Sequence, residues 1–228
     1  MYRQEREKIY VKLSEKLYRD TAKIWFKILS HPFVVELYEG RLPLNKFKYY
    51  VIQDYNYLVT LMKCYSIIAA KADPETAAVA LKIAYLDATI EIENYKKILK
   101  KIGLSLSEVI ETEPAPTALA YMNFLYTTCS QGTSLEGLVA TLPCFWTYLE
   151  IAEKHRNKLD SNPVELYREW CQAYLSKEYR DLLNELKTII DNLWNGENYK
   201  KYLKIFKTAS KYEYMFWTMA YNLEKWPI

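Results

Sequence analysis

The chain has 228 residues and a formal net charge of only +3, with half its residues hydrophobic and 26% charged. That is enough apolar side chain for one large core and too even a charge balance for a nucleic-acid track. Five glycines and eight prolines are few for a turn-rich β-sandwich or a doubly wound α/β protein, so the composition predicts long helices in a single all-α domain over residues 1–228.

The first apolar stripe predicts a helix over 4–30, through Ile9, Leu13, Leu17, Ala22, Trp25, Phe26 and Leu29. Ser30-His-Pro-Phe33 breaks it, because a proline holds its predecessor out of helical geometry. A short helix over 32–39 ends near Gly40, and a long one runs from Leu44 to Ala72. Asp73-Pro74 supplies a cap and a proline at the first helical position, opening a helix to about Lys101. Residues 103–116 form the longest irregular connection, a rim or lid. Helices over 116–130 and, from a Thr133 or Ser134 cap, to about Leu159 come next; the second must run through Pro143, which removes a backbone donor and should bend it. Asn162-Pro163 opens a segment to about Ser176, and helices over 177–194 and 197–224 complete the chain.

The chemistry centres on Cys144, which follows Pro143 in the apolar run Leu138–Tyr148. A lone cysteine there is ordinarily an inert small hydrophobe. Two carboxylates set in equally apolar surroundings change that reading. Asp54 shares a helix stripe with Tyr50, Tyr57 and Leu61, and Glu213 stands in Tyr212-Glu-Tyr-Met-Phe-Trp217. Aspartate is seldom buried without a partner, and a buried glutamate has a raised pKa suited to general acid and base work. Each also has a bland account, a hydrogen bond to a tyrosine. Together the three residues offer a nucleophile, a proton donor and a carboxylate for an amine, with Tyr57, Tyr121 and Tyr174 to confine a flat ring. That set suits sulfur addition to an electron-poor heteroaromatic ring. A papain-like site would need a histidine base, and the chain has two histidines: His31, read as a local hydrogen-bonding anchor, and His155, read as exposed.

Four cysteines without a CxxC pair, no HExxH and no glycine-rich phosphate loop give no expectation of a metal or a cofactor. Glu91 and Glu93, two apart on a helix, do not share a face. The highly charged N-terminus and the lack of an apolar run of about eighteen residues argue against a signal peptide, a membrane span and a disulfide framework. A reducing cytoplasm is the expected compartment.

Taken in order, the chain resembles the TenA/thiaminase II family, in its cysteine-containing branch, over most of its length. The marks are His31-Pro-Phe33, Phe47-Lys-Tyr-Tyr50, Gln53-Asp54 with Tyr57, Pro116-Thr117 with Tyr121, Leu142-Pro-Cys-Phe-Trp146 with Tyr148 and Glu150, Tyr167 with Trp170 and Tyr174, and Tyr212-Glu213 with Phe216-Trp217. The resemblance implies a haem-oxygenase-like helical bundle, a homotetramer, and hydrolysis of aminomethylpyrimidine to hydroxymethylpyrimidine and ammonia, or cleavage of thiamin, without cofactor or metal. It implies Cys144 as the nucleophile, Glu213 as the proton donor to a ring nitrogen, and Asp54, Tyr57, Tyr121, Tyr174 and Phe216 around the pyrimidine. Cys171 and Tyr95 depart from the family pattern at positions read as packing. The alternative is a non-catalytic helical module that binds a pyrimidine or a protein partner.

Overall fold

The computed structural model describes residues 12–228, and the bundle is built around two long helices that carry most of the apolar sequence. Helix α3, Leu44–Lys71, packs on α4 (Pro74–Leu86), α7 (Pro116–Gln131), α8 (Ser134–Leu159) and α11 (Tyr199–Asn222). Helix α8 in turn packs on α1 (Leu13–Leu29), α10 (Lys177–Leu193) and α11. The all-α, single-domain expectation holds. The part of the first predicted helix over 4–11, including Ile9, lies outside the described residues.

Local chemistry sets the helix ends where the sequence marks them. Asp73 Oδ1 accepts the Glu75 and Thr76 N–H groups at 3.0 and 3.1 Å, starting α4 at Pro74. Thr133 caps α8 in a capping box with Glu136, and the helix then runs unbroken through Pro143. His31 is the anchor expected: Nδ1 accepts the Phe33 N–H at 3.1 Å, opening α2 (Pro32–Tyr38), and Nε2 lies 3.1 Å from Thr218 Oγ1. Burial drives this imidazole down to about 4, so it works as a neutral bridge.

The structure departs from the sequence reading at four places. The helix expected over 74–101 is interrupted by a π-helical turn, Asp87–Glu91, before α5 (Ile92–Ile102). Thr89 Oγ1 donates back to the Tyr85 carbonyl at 2.6 Å, competing with the regular ladder there. The 103–116 connection contains a short helix, α6 (Leu106–Glu111), closed at its start by a Ser105–Glu108 capping box. Asn162 does not open a helix. Its amide donates to the Leu37 and Tyr38 carbonyls at 2.9 and 3.0 Å, tying the end of α2 to the approach to α9 (Glu165–Ala173). His155 is buried, not exposed, because the last turns of α8 lie over the end of α1, and its Nε2 lies 2.8 Å from the Leu29 carbonyl.

The two departures from the family pattern serve packing. Cys171 is fully buried beside Tyr38, and the Tyr95 hydroxyl donates to the Val51 carbonyl at 2.7 Å. No helix among the described residues is long and apolar enough to cross a membrane.

Candidate active site

Three helices deliver the chemistry to one interior space. Asp54 comes from the middle of α3, Cys144 from the middle of α8 and Glu213 from α11. They act on one another electrostatically: the charges of both Glu213 and Asp54 bear on the Cys144 thiol, and that of Glu213 bears on Asp54. Asp54, Cys144, Tyr148, Tyr174 and Tyr179 are walled in by protein yet keep part of their surface accessible, so a hollow lies between them in place of packed side chain.

Glu213 is almost fully buried. Its Oε1 accepts the Tyr121 hydroxyl at 2.6 Å and its Oε2 the Thr147 hydroxyl at 3.3 Å. Burial raises its pKa to about 7 against the opposing pull of both hydroxyls. Among the described residues Asp54 has no hydrogen-bond or ion-pair partner, and burial, followed by the charges of Glu91 and Glu213, lifts it to about 8. The Cys144 thiol is raised well above its usual value, first by burial and then by the Glu213 charge. The Tyr57 hydroxyl lies against that thiol and pulls it the other way. It is itself buried with no hydrogen-bond partner of normal geometry.

Aromatic rings shape the walls. Tyr57 sits 5.1 Å from Tyr121 and 5.7 Å from Phe216 between ring centroids, and Tyr148 sits 4.8 Å from Tyr174. The Tyr148 hydroxyl is 2.8 Å from that of Tyr50, which stacks on Trp217 at 5.2 Å. Cys144, Glu213, Asp54, Tyr57, Tyr121, Tyr174 and Phe216 are thus linked to one another through ring contacts, hydrogen bonds and mutual electrostatics. An open groove of about 670 Å³ lies elsewhere, along Glu153, Lys154, Arg156, Asn157, Gln172 and Leu175, and contains none of them.

The model of the TENA/THI-4/PQQC family matches residues 18–223. The chain belongs to this family. Among proteins similar to this TENA/THI-4/PQQC member, an aminopyrimidine aminohydrolase from Halalkalibacterium halodurans is 32% identical over 214 residues, covering 92% of this chain and 96% of the relative. A TenA homologue from P. horikoshii OT3 superposes with a TM-score of 0.91 at 48% identity, over 93% of this chain and 99% of that one. A Shewanella denitrificans domain described as having a heme oxygenase-like fold superposes at a TM-score of 0.77 with 14% identity, over 92% and 93% of the two chains, which identifies the architecture alone.

Sequence reasoning missed several groups in the electrostatic surroundings of the site residues in this TENA/THI-4/PQQC family member. Asp87 is 5% exposed and its Oδ2 has no hydrogen-bond partner. The argument applied to Asp54, an aspartate among apolar neighbours, would have found it in Tyr85-Leu-Asp-Ala88. Glu91 and Glu93 diverge electrostatically: Glu93 pairs with Lys96 in solvent, whereas protein nearby raises the Glu91 carboxyl by loss of hydration. Thr147 and Tyr179 carry no local sequence signal.

Proposed function

We propose that this protein hydrolyses an aminomethylpyrimidine, releasing ammonia and the hydroxymethylpyrimidine, by reversible addition of the Cys144 sulfur to the ring. The observation that carries this reading is the meeting of Asp54, Cys144 and Glu213 around one tyrosine-walled hollow, with Asp54 lacking a partner among the described residues. The similarity to an aminopyrimidine aminohydrolase over nearly the whole chain supports the same substrate class.

Each environment fits a step. With a pKa of about 8, Asp54 is protonated in the empty site, so one oxygen accepts an N–H from the ring's amino group while its O–H donates to the adjacent ring nitrogen. The other ring nitrogen faces Glu213, which near neutrality holds a proton to give. Sulfur bonds to a ring carbon as Glu213 protonates that nitrogen, and the proton leaving the thiol replaces the one Glu213 has given. The electron pair of the ring adduct then expels the substituent, which leaves from its protonated, ammonium form as neutral ammonia. Water adds to the exocyclic methylene left behind, the C–S bond breaks, and the thiol and the aromatic ring are restored. Thiamin offers a thiazolium on the same carbon and would follow the same course. By the same family relation we propose that the working form is a homotetramer.

The deciding experiment is ammonia release by Cys144→Ser. We expect turnover to fall on the order of a thousandfold or more, as when other enzymes lose a nucleophile, with the helical circular dichroism unchanged. Wild-type turnover in that variant would overturn the covalent step, and saturable binding without any product from the wild type would leave a pyrimidine-binding module as the reading.

A further inference from the structure

Glu213, on α11, has each of its carboxyl oxygens held by a hydroxyl from another helix. Tyr121, on α7, donates to Oε1 at 2.6 Å, and Thr147, on α8, donates to Oε2 at 3.3 Å. Thr147 is fully buried and stands three residues after Cys144, so the two share a face of α8. The helix that carries the nucleophile thus also carries the anchor for the second oxygen of the acid.

The direction of the Thr147 hydroxyl sets it apart. A threonine inside a helix commonly turns its hydroxyl back to the carbonyl four residues earlier. Thr60, Thr128, Thr188 and Thr218 do so, and so does Thr141 on α8 itself. Thr147 instead reaches across to α11: among the described residues its hydrogen-bond partner is Glu213 Oε2, and it makes no bond to the Pro143 carbonyl. A buried O–H needs an acceptor, and this is the acceptor it has, so Thr147 is committed as a donor. A β-branched side chain is stiff about its first torsion, which keeps the hydroxyl there. With donors on both oxygens, a proton on the Glu213 carboxyl has neither hydroxyl to bond to. The short bond from Tyr121 occupies Oε1 firmly, while the contact to Oε2 is long for an O–H···O bond.

We propose that Thr147 is a positioning residue for the reaction: by donating to Glu213 Oε2 it holds that oxygen in place, keeps the carboxyl proton for the ring nitrogen of the substrate, and stabilises the carboxylate that remains when the proton has gone. The proposal rests on the aminopyrimidine reading above. In the step, the Oε2–H bond breaks, its electron pair stays on Oε2 and the proton bonds to the ring nitrogen. The Thr147 O–H bond stays intact, and its hydrogen bond strengthens against the new charge. Because it favours the ionised form, the same hydrogen bond restrains the rise that burial imposes on Glu213. The charge of Glu213 also bears on Tyr50, Asp54 and Tyr57 of α3, Tyr121 of α7, Cys144 and Tyr148 of α8 and Tyr179 of α10, and a change confined to Thr147 leaves these in place.

The test compares Thr147→Val, which keeps the shape and loses the donor, with Thr147→Ser, which keeps the donor. In Thr147→Val, kcat for ammonia release should fall about tenfold while the dissociation constant for hydroxymethylpyrimidine stays within about twofold. The alkaline limb of the kcat profile, where the acid loses its proton, should move up by about half a pH unit or more. Thr147→Ser should keep kcat within about threefold of the parent, with the limb in place. A threonine that only packs would change the melting temperature without moving the limb. An unchanged kcat and limb in Thr147→Val, or a serine variant that falls as far as the valine, would overturn the role; Thr147→Ala takes the place of the valine variant should that one not fold. The carboxyl carbon of Glu213, labelled with carbon-13 and assigned by its loss in Glu213→Gln, gives a readout apart from turnover. Its titration midpoint in the ligand-free protein should rise in Thr147→Val. If the wild type releases no ammonia while that midpoint rises, the aminopyrimidine reading falls and the hold of Thr147 on Glu213 stands. An unmoved midpoint overturns the hold whatever the turnover.

Discussion

The Tyr121 hydroxyl donates to Glu213 Oε1 across 2.6 Å, in a site where burial has already raised that carboxyl to about 7. The hydrogen bond restrains the rise without cancelling it, so Glu213 stays poised near neutral pH with its second oxygen toward Thr147. Replacing it by glutamine keeps the volume and the acceptor for Tyr121 but removes the transferable proton. In Glu213→Gln, kcat for ammonia release should fall by about 10²–10⁴ while the dissociation constant for hydroxymethylpyrimidine stays within a few-fold. Steady-state kinetics beside calorimetry separates the two effects, and unchanged kcat would remove Glu213 from the acid role.

Asp54 gives a sharper test of protonation state. An asparagine presents the same acceptor and donor pair as a neutral carboxylic acid, so Asp54→Asn should bind hydroxymethylpyrimidine nearly as well as the parent. Asp54→Ala, which offers neither, should lose about 10- to 100-fold. A loss in Asp54→Asn as large as in Asp54→Ala would mean that the ionised form is the one that binds.

The buried acids also make stability depend on pH in a direction opposite to the common one. Asp54 and Asp87, at about 8, and Glu213, at about 7, keep protons in the folded state that the unfolded chain releases near pH 4. Where the folded state binds more protons, stability falls as pH rises. Below about 6.5 this is opposed by His31 and His155, whose lowered pKa values make the unfolded chain the better proton binder there. Between about pH 6.5 and 8 only the carboxyls act, so the melting temperature of the ligand-free protein should decline across that window. Asp87→Asn should flatten the decline and melt higher than the parent at pH 8. A thermal scan at half-unit steps measures both, and a rising melting temperature would show that these carboxyls are ionised in the fold.

Helix α8 approaches α3 closely at Gly137. A β-carbon there would lie 2.7 Å from Ile68 Cγ1 and 3.3 Å from Cys129 Sγ, all within the core. Gly137→Ala should therefore destabilise the fold by about 1–3 kcal/mol despite its higher helix propensity, because overpacking outweighs the gain of under about 1 kcal/mol. For a domain of this size that is a fall of several degrees in melting temperature, roughly 2–4 °C per kcal/mol. An unchanged or higher melting temperature would show that Ile68 moves aside freely.

Much of this was legible in the residues themselves. Apolar spacing and caps such as Asp73-Pro74 and Thr133-x-x-Glu136 are local, because a helix start is fixed by hydrogen bonds three residues long. The site was visible for a related reason: a charged residue among large apolar ones, as at Asp54 and Glu213, violates the core pattern and so announces itself.

Other features depend on contacts far apart in the chain. His155 reads as a charged helix end until α8 is laid over Leu29, some 126 residues away. Asn162 reads only as the opening of a segment until its amide finds the carbonyls of Leu37 and Tyr38. The π-turn has no period of its own, and it is its packing on α3 that raises the Glu91 carboxyl by loss of hydration while Glu93 pairs with Lys96 in solvent. The sequence by itself determined which side chains are costly to bury and where the capped helices such as α2, α4 and α8 begin. Which of those costs are relieved by a partner, as for Glu213, and which are left without one among the described residues, as for Asp54 and Asp87, was decided by the tertiary structure, because burial and electrostatic neighbours exist only once distant helices meet.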